Sequence, residues 1–289
     1  MAAAEAEVNY VAPMNERPFV DVNDFSRNRL DLEAHRVRIQ DARDLPGATA
    51  LDREGFVLVR QRLPDIDFRD HQQIVDRYLP RMQELIEEVT GADKVLMSDG
   101  PITRFSSPLE KGVVRPAGFA HTDYTAKSAR DLMRLSFDRR LEPEAGYAET
   151  RSLLADSVDP PPGQEPAYRR ILAVQTWRVL SHPPHDMPLA LCAADSVSGE
   201  DIVEASFGAS FSDFSEDQLE FSLYRFSPRH RWSCFADMEP DEVLVFVGYD
   251  FRNYDRSRVL HTAFRDPACP ADAIGRSSVE ARSFALFRD

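Results

Sequence analysis

The chain has 289 residues, 43% hydrophobic and 29% charged, a composition that suits one soluble β-rich domain with additions and a sizeable core. Asp and Glu outnumber Lys and Arg by 49 to 35, and the resulting formal charge of −14 disfavours DNA, RNA and anionic membranes as partners. No stretch approaches a membrane span, MAAAEAEVNY lacks the basic-then-apolar pattern of a signal peptide, and Cys192, Cys234 and Cys269 form no CxxC pair, so the expectation is a cytoplasmic protein with free thiols.

Residues 1–20 are Ala-rich, then polar with prolines, and read as an arm on the main body. Two short β-like runs follow, His35–Ile39 and Gly55–Val59, separated by the turn Leu45-Pro46-Gly47. Ile74, Tyr78, Met82, Leu85, Ile86 and Val89 recur at spacings of three and four and make one apolar helix face. Pro80 should kink or split that helix, and Gly91 should end it. His71, beside Asp70, falls on the polar face and reads as a solvated residue.

From about residue 93 short β-branched or aromatic runs alternate with turns: Lys94–Met97, Ile171–Leu180, Phe221–Phe226, Glu242–Val247, Arg258–Phe264 and Ser278–Phe287. This is the pattern of an all-β barrel or sandwich. An acidic, helix-prone insert runs from about Leu141 to Ala155, followed by the proline-rich loop Asp159–Gly163, and no internal repeat is present.

The segment Phe119-Ala120-His121-Thr122-Asp123-Tyr124-Thr125 contains His-x-Asp. In a strand, residues i and i+2 point to one face, so an imidazole and a carboxylate can converge on one metal ion. His261, in the β-like run Arg258–Phe264, offers a third ligand. Two histidines and one carboxylate form the facial triad of non-haem iron(II) oxygenases, which leaves coordination positions open. His-x-Asp alone is weak, since a histidine hydrogen-bonded near a surface Asp gives the same pattern. The downstream sequence changes the balance. Arg276-Ser277-Ser278 follows fifteen residues after His261, and Arg276 and Ser278 share a strand face. A guanidinium fork beside a hydroxyl suits a terminal carboxylate. Arg282 lies on the same face and is the second candidate for that role, with Glu280 between them. The bland reading of Arg276 is a surface ion pair.

With these segments in place the chain resembles the fungal and bacterial hydroxylase/desaturase group of iron(II)/2-oxoglutarate oxygenases, which includes the cephamycin 7α-methoxylation component and gibberellin desaturase-like proteins. The matching stretches are Ile39–Arg43, Leu51–Phe56, Thr90–Ala92, His121–Thr125, Trp177-Arg178, Pro188–Leu191, His230–Trp232, His261–Phe264 and Arg276–Arg282. Two departures stand out: Val179 where the group often has proline after Trp-Arg, and Ala193-Ala194 between Cys192 and Asp195. Neither touches a candidate ligand. The resemblance implies a mainly β chain with helical additions around a double-stranded β-helix core of the jelly-roll or cupin-like kind. It implies Fe(II), 2-oxoglutarate and O2, with His121, Asp123 and His261 at the ligand positions.

The expected organisation is one oxygenase domain, in which residues 1–92 form an α/β extension packed on the core and residues 93–289 form the β-helix with its insert at about 141–165. The expected substrate is a small neutral or cationic metabolite near Arg178, Trp177, His230 and Trp232, with Arg115 and Arg104 at the pocket mouth. For both tryptophans the core-packing alternative stays open, and Tyr124 reads as core by default. A structural ion pair is an equal reading of Arg178, a satisfied core histidine at least an equal one of His230, and simple solvation is favoured for Arg104 and Arg115. His182 and His185, in a His-Pro-Pro-His loop, are weak candidates for a second metal site. The alternative from another class is a non-oxidative cupin-like isomerase or small-molecule-binding protein using the same triad with another metal.

Overall fold

The structure, a computed structural model, describes residues 4–21, 25–98, 100–105, 116–140, 163, 168–208, 219–253, 258–273 and 275–288. The chain opens with strands β1 (Ala4–Val11), β2 (Phe19–Asp21), β3 (Leu32–Asp41) and β4 (Phe56–Arg60). The alanines and valines of β1 alternate with charged residues, and the strand pairs antiparallel with β3 over its full length, from Ala4–Ile39 to Val11–Leu32. The N-terminal arm expected from composition is therefore an edge of the main sheet.

A helical layer follows. Helix α1 (His71–Gln73) is capped by Asp70, whose carboxylate accepts from the N–H groups of Gln72 and Gln73. One π-helical turn, Ile74–Tyr78, leads directly into α2 (Leu79–Thr90). The helical run continues through Pro80, but it is divided just before the proline by that π-helical turn. The proline sits in the first turn of α2, and the wider turn before it makes room for a residue that has no N–H and crowds the preceding carbonyl. Gly91 ends the helix at φ +69°, the left-handed conformation that favours glycine.

The remaining elements are β5 (Lys94–Met97), β6 (Ile102–Arg104), β7 (His121–Thr122), α3 (Ala126–Arg140), β8 (Arg170–Val179), β9 (Leu189–Cys192), β10 (Ile202–Gly208), β11 (Glu220–Tyr224), β12 (Trp232–Cys234), β13 (Glu242–Asp250), β14 (His261–Ala263) and β15 (Ser278–Phe287). Helix α3 lies just before the insert, where no helix was anticipated. Apart from residue 163, the insert at 141–165 lies outside the described residues.

The strands form two sheets. A nine-stranded sheet runs β1-β3-β12-β9-β14-β7-β11-β10-β2, and a second runs β4-β13-β8-β15-β5 with β6 also paired to β15. The larger sheet bends until β1 returns to the segment before β7, where the Ala120 N–H donates to the Asn9 carbonyl at 2.8 Å and Asn9 Nδ2 donates to the Gly118 carbonyl at 2.7 Å. Residues 1–92 are thus not only an extension, because they supply three strands of one sheet and one of the other.

Strand β8 is buried on both faces, and the two faces meet different layers. Leu172 and Val174 pack with Met82, Leu85 and Ile86 of α2, while Trp177 and Val179 pack with Leu191, Phe246 and Val259 between the sheets. That second layer is the interior into which the candidate site opens. The phase carries across the sheet, since Glu280 lies opposite Trp177, Arg282 opposite Gln175, and Ser278 opposite both Val179 and Arg104. A row of polar side chains therefore shares the interior face with an aromatic core.

Candidate metal centre

Two short strands carry the histidines, β7 and β14. In the nine-stranded sheet His121 lies directly opposite His261, and His261 directly opposite Leu191. Directly opposed residues project to the same face, so both imidazoles enter the space between the sheets, their centroids 4.4 Å apart. Asp123 follows His121 by two residues. One ligand atom each from His121, Asp123 and His261 lies within 4.8 Å of the other two.

The imidazoles are already oriented. His121 Nδ1 is 2.9 Å from the Phe119 carbonyl and His261 Nδ1 is 3.0 Å from the Val259 carbonyl. A carbonyl only accepts, so in each ring the Nδ1 carries the proton and the Nε2 keeps its lone pair for a ligand. Burial and the neighbouring His261 push His121 down to about 3, which keeps it neutral and able to coordinate. Burial alone would raise the Asp123 carboxyl, but the Arg282 guanidinium and the two imidazoles outweigh it and hold the group well below the usual carboxylate range.

Asp123 is held through one oxygen. Gln175 Nε2 donates to its Oδ2 at 2.5 Å, and Arg282 Nη2 lies 3.0 Å from the same atom. The other carboxylate oxygen, Oδ1, faces His121 Nε2 at 3.6 Å. Glu280 completes the group, accepting from Arg282 Nε at 2.8 Å and from Gln175 Nε2 at 3.3 Å. Two carboxylates thus neutralise and retain Arg282, and despite its burial they hold it above the ordinary arginine range.

Arg276 is different. It is 2% exposed, and its guanidinium sits over the Trp177 ring at 4.9 Å from the centroid. Its Nε and Nη1 are buried without a hydrogen-bond partner. Burial, and next the charge of Arg104, push it down to about 9, a level that would be relieved by a bound anion. Ser278 is buried two residues on. Of the two candidate carboxylate clamps, Arg276 has unused donors and Arg282 is committed to Asp123.

The remaining candidates fall elsewhere. Arg178 projects from β8 into the helix layer, where it donates to Gln61 Oε1 at 2.6 Å and to the Pro240 carbonyl at 3.2 Å and lies over the Tyr78 ring. The even-numbered positions of β8 face away from the triad, which rules Arg178 out as a pocket residue. Trp232 lies opposite Cys192, one residue out of phase with the Leu191–His261 row, so it too faces away from the triad. It donates to Tyr10 Oη at 2.7 Å, and His230 stacks on the same tyrosine. Both belong to the core covered by β1 and are not pocket residues. Trp177 does face the interior. Arg115 lies outside the described residues. His182 pairs with Glu239, and His185 meets the Ser181 carbonyl, with no joint metal geometry among the described residues.

Gln175 and Phe119 were missed in the sequence. Gln175 sits directly after the apolar run Ile171–Val174, two residues from Trp177, and an amide in such a setting was a signal that its face meets polar groups. Phe119 precedes His121 by two, the same spacing that picked out Asp123. Its ring lies 5.3 Å from that of His121 and 6.3 Å from that of Phe221, which in turn is 6.2 Å from Phe207. These phenylalanines form an aromatic wall beside the triad.

The comparisons with known proteins agree with this chemistry. The oxidoreductase/YMDC permease-like domain family matches residues 8–286. Among the described residues no helix is long and apolar enough to cross a membrane. A dioxygenase from Aspergillus novofumigatus named as Fe(II)/2-oxoglutarate-dependent, nvfI, is 27% identical over 254 residues, 86% of this chain and 82% of its own. The hydroxylase/desaturase asaB of Aspergillus flavus is 28% identical over 169 residues, 55% of this chain and 74% of its own. A solved structure of the iron and alpha-ketoglutarate-dependent endoperoxidase NvfI superposes with a TM-score of 0.77, at 24% identity and over 99% of this chain and 98% of that one, which establishes the shared jelly-roll core.

Proposed function

The chain belongs to the oxidoreductase/YMDC permease-like domain family, and on that premise we propose that it is an iron(II)- and 2-oxoglutarate-dependent oxygenase acting on a small secondary metabolite. The observation that carries the reading is a pairing of features on one interior face. Three ligand atoms lie within 4.8 Å of one another, and Arg276 keeps two buried nitrogens without a partner. Relatives named as Fe(II)/2-oxoglutarate-dependent dioxygenases support it. A cupin-like isomerase would need the same triad but gives no reason for a buried, unsatisfied guanidinium beside it.

His121 and His261 would hold the metal through Nε2, and Asp123 would hold it through Oδ1. When bound, iron(II) with 2-oxoglutarate and O2 supplies the oxidising power to take a hydrogen atom from an unactivated carbon, the cosubstrate leaving as succinate and carbon dioxide. Arg276, whose Nε and Nη1 lack a partner, would bind the distal carboxylate of the cosubstrate, helped by the Ser278 hydroxyl. Trp177 backs the guanidinium and fixes its plane. Phe246, whose ring lies 5.2 Å from that of His261, and Leu191 exclude water from the inner side of the histidines. Phe119 and Phe221 present an apolar surface on which a substrate rests close to His121. The three free cysteines fit a reducing cytoplasm.

The test is succinate formation by the purified protein on addition of iron(II), 2-oxoglutarate and oxygen, with the His261→Ala protein as the control. The reading requires turnover in the first and none in the second. Equal succinate from both, or none from either across a panel of candidate metabolites, would refute it.

A further inference from the structure

Gln175 and Glu280 are buried polar side chains on neighbouring strands, and neither has a place among the proposed ligands or in the cosubstrate clamp. Gln175 faces two carboxylates, and its Nε2 serves both, Asp123 Oδ2 and Glu280 Oε1. Carboxylates only accept, so the amide must turn its NH2 to them and leave its carbonyl behind. Gln175 Oε1 is accordingly buried with no partner. Ordinary packing disfavours a stranded carbonyl. A second feature accommodates it. At Gly248, where the β13–β8 register shifts between Val247 and Tyr249, an added Cβ would lie 2.6 Å from that same oxygen.

We infer that Gln175 and Arg282 are positioning residues that clamp Oδ2 of Asp123 and so present Oδ1 alone to the metal, Glu280 holding the clamp in place. This inference rests on the reading of His121, Asp123 and His261 as a metal centre. Both donors converge on one oxygen, and the other is the one that faces His121 Nε2. A carboxylate free to rotate can offer both oxygens and occupy two coordination positions. One whose second oxygen already accepts a hydrogen bond and is ion-paired with a guanidinium offers a single point. The positions left open then suffice for a chelating keto acid and for oxygen. The arrangement also explains why Arg282, on the same strand face as Arg276, is not available to a cosubstrate. Its charge is spent between Asp123 and Glu280.

The experiment uses Co(II) as a probe of the full-length protein under anaerobic conditions without 2-oxoglutarate. It reads the dissociation constant and the visible absorption spectrum of the bound ion, with the melting temperature of the metal-free protein measured in parallel. Gln175→Leu removes the uncharged donor and keeps the bulk. It is expected to weaken Co(II) binding by about tenfold to a hundredfold and to change the band positions and intensities that report coordination number, at a melting temperature close to that of the parent. Arg282→Lys, the second variant in case Gln175→Leu does not fold, keeps the charge but not the fork. It is expected to weaken binding in the same direction, and less than Arg282→Leu. Parent-like affinity and spectrum in every variant that folds would overturn the inference. Asp123→Ala separates the two readings. If the parent binds Co(II), Asp123→Ala does not, and the Gln175 and Arg282 variants bind like the parent, the clamp is wrong and the metal centre stands. If Asp123→Ala binds as tightly as the parent, both fall.

Discussion

Arg276 sits over Trp177 at 4.9 Å from the ring centroid, with two of its guanidinium nitrogens unpartnered in a buried setting. An aromatic face stabilises the cation without using its N–H groups, so the donors are kept ready for an anion. Arg276→Ala should raise the apparent KM for 2-oxoglutarate about 100-fold or more, about 3 kcal/mol for removing one partner of a buried charge pair, while Co(II) binding survives. Trp177→Leu should act in the same direction and more weakly. If Arg282→Ala raises the 2-oxoglutarate KM without touching metal binding, and Arg276→Ala leaves it unchanged, the clamp assignment moves to Arg282.

Arg178 provides a contrast within the same strand. It is fully buried against Tyr78, Gln61 and the Pro240 carbonyl on the helix side. Arg178→Met should lower stability by about 1–3 kcal/mol through the acceptors it strands, and leave both KM values within twofold. Chemical denaturation together with steady-state kinetics on the same preparation distinguishes this from a substrate contact.

Gly248 should tolerate no side chain. A Cβ there would come within 2.6 Å of Gln175 Oε1 and 2.7 Å of Tyr124 Cε2. Gly248→Ala is expected to cost about 1–3 kcal/mol, the usual range for overpacking a filled core. It should also weaken Co(II) binding, because the atom it displaces belongs to the side chain that holds Asp123. A destabilised protein with parent-like metal affinity would sever that link.

The metal-free protein should lose stability in mild acid. His121, at about 3, and His185 and His230, also lowered, are all pushed down chiefly by burial. The unfolded chain takes up protons on these rings near pH 6.5 and the folded one resists. The unfolded state therefore binds more protons, and stability rises with pH. The histidine contribution is complete above about pH 7 and is lost as pH falls below about 6.5, by about 1.4 kcal/mol per pH unit for each ring that stays neutral in the fold. Urea midpoints between pH 7 and 5 test this, and a His230→Gln protein should show a shallower slope. A stability flat across that range would contradict it.

The grouping of His121, Asp123 and His261 was legible because its logic is local. His121 and Asp123 are two apart, and His261 lies in a run that reads as a strand without knowledge of its neighbours. The faces of Arg178 and Trp232 were not legible. Strand β8 is buried on both sides and carries polar residues on each, Gln175 inward and Arg178 outward, so no alternation of polarity tells which residues meet the helix and which the pocket. Trp232 turns away from the triad because Tyr10, more than two hundred residues earlier, supplies its partner, and nothing near Trp232 in sequence announces that contact. The same limit hid the role of Arg282. Its strand face was readable, but what it faces depends on how β7 and β8 align across the interior. The form of the division at Pro80 was not legible, since a π-helical turn is a backbone adjustment with no compositional mark.

The pairing of His121 with His261 bears on how the protein is born. The two imidazoles are separated by nearly half the chain, and the strand of the first is tied at its start to Asn9. A nascent polypeptide emerging from the ribosome cannot assemble this centre until His261 has left the exit tunnel. Contacts of such long range also form slowly. The ion must therefore be captured by a chain already close to its final shape. Growth medium supplied with iron only after expression has been halted should yield as much loaded protein as medium supplied from the start.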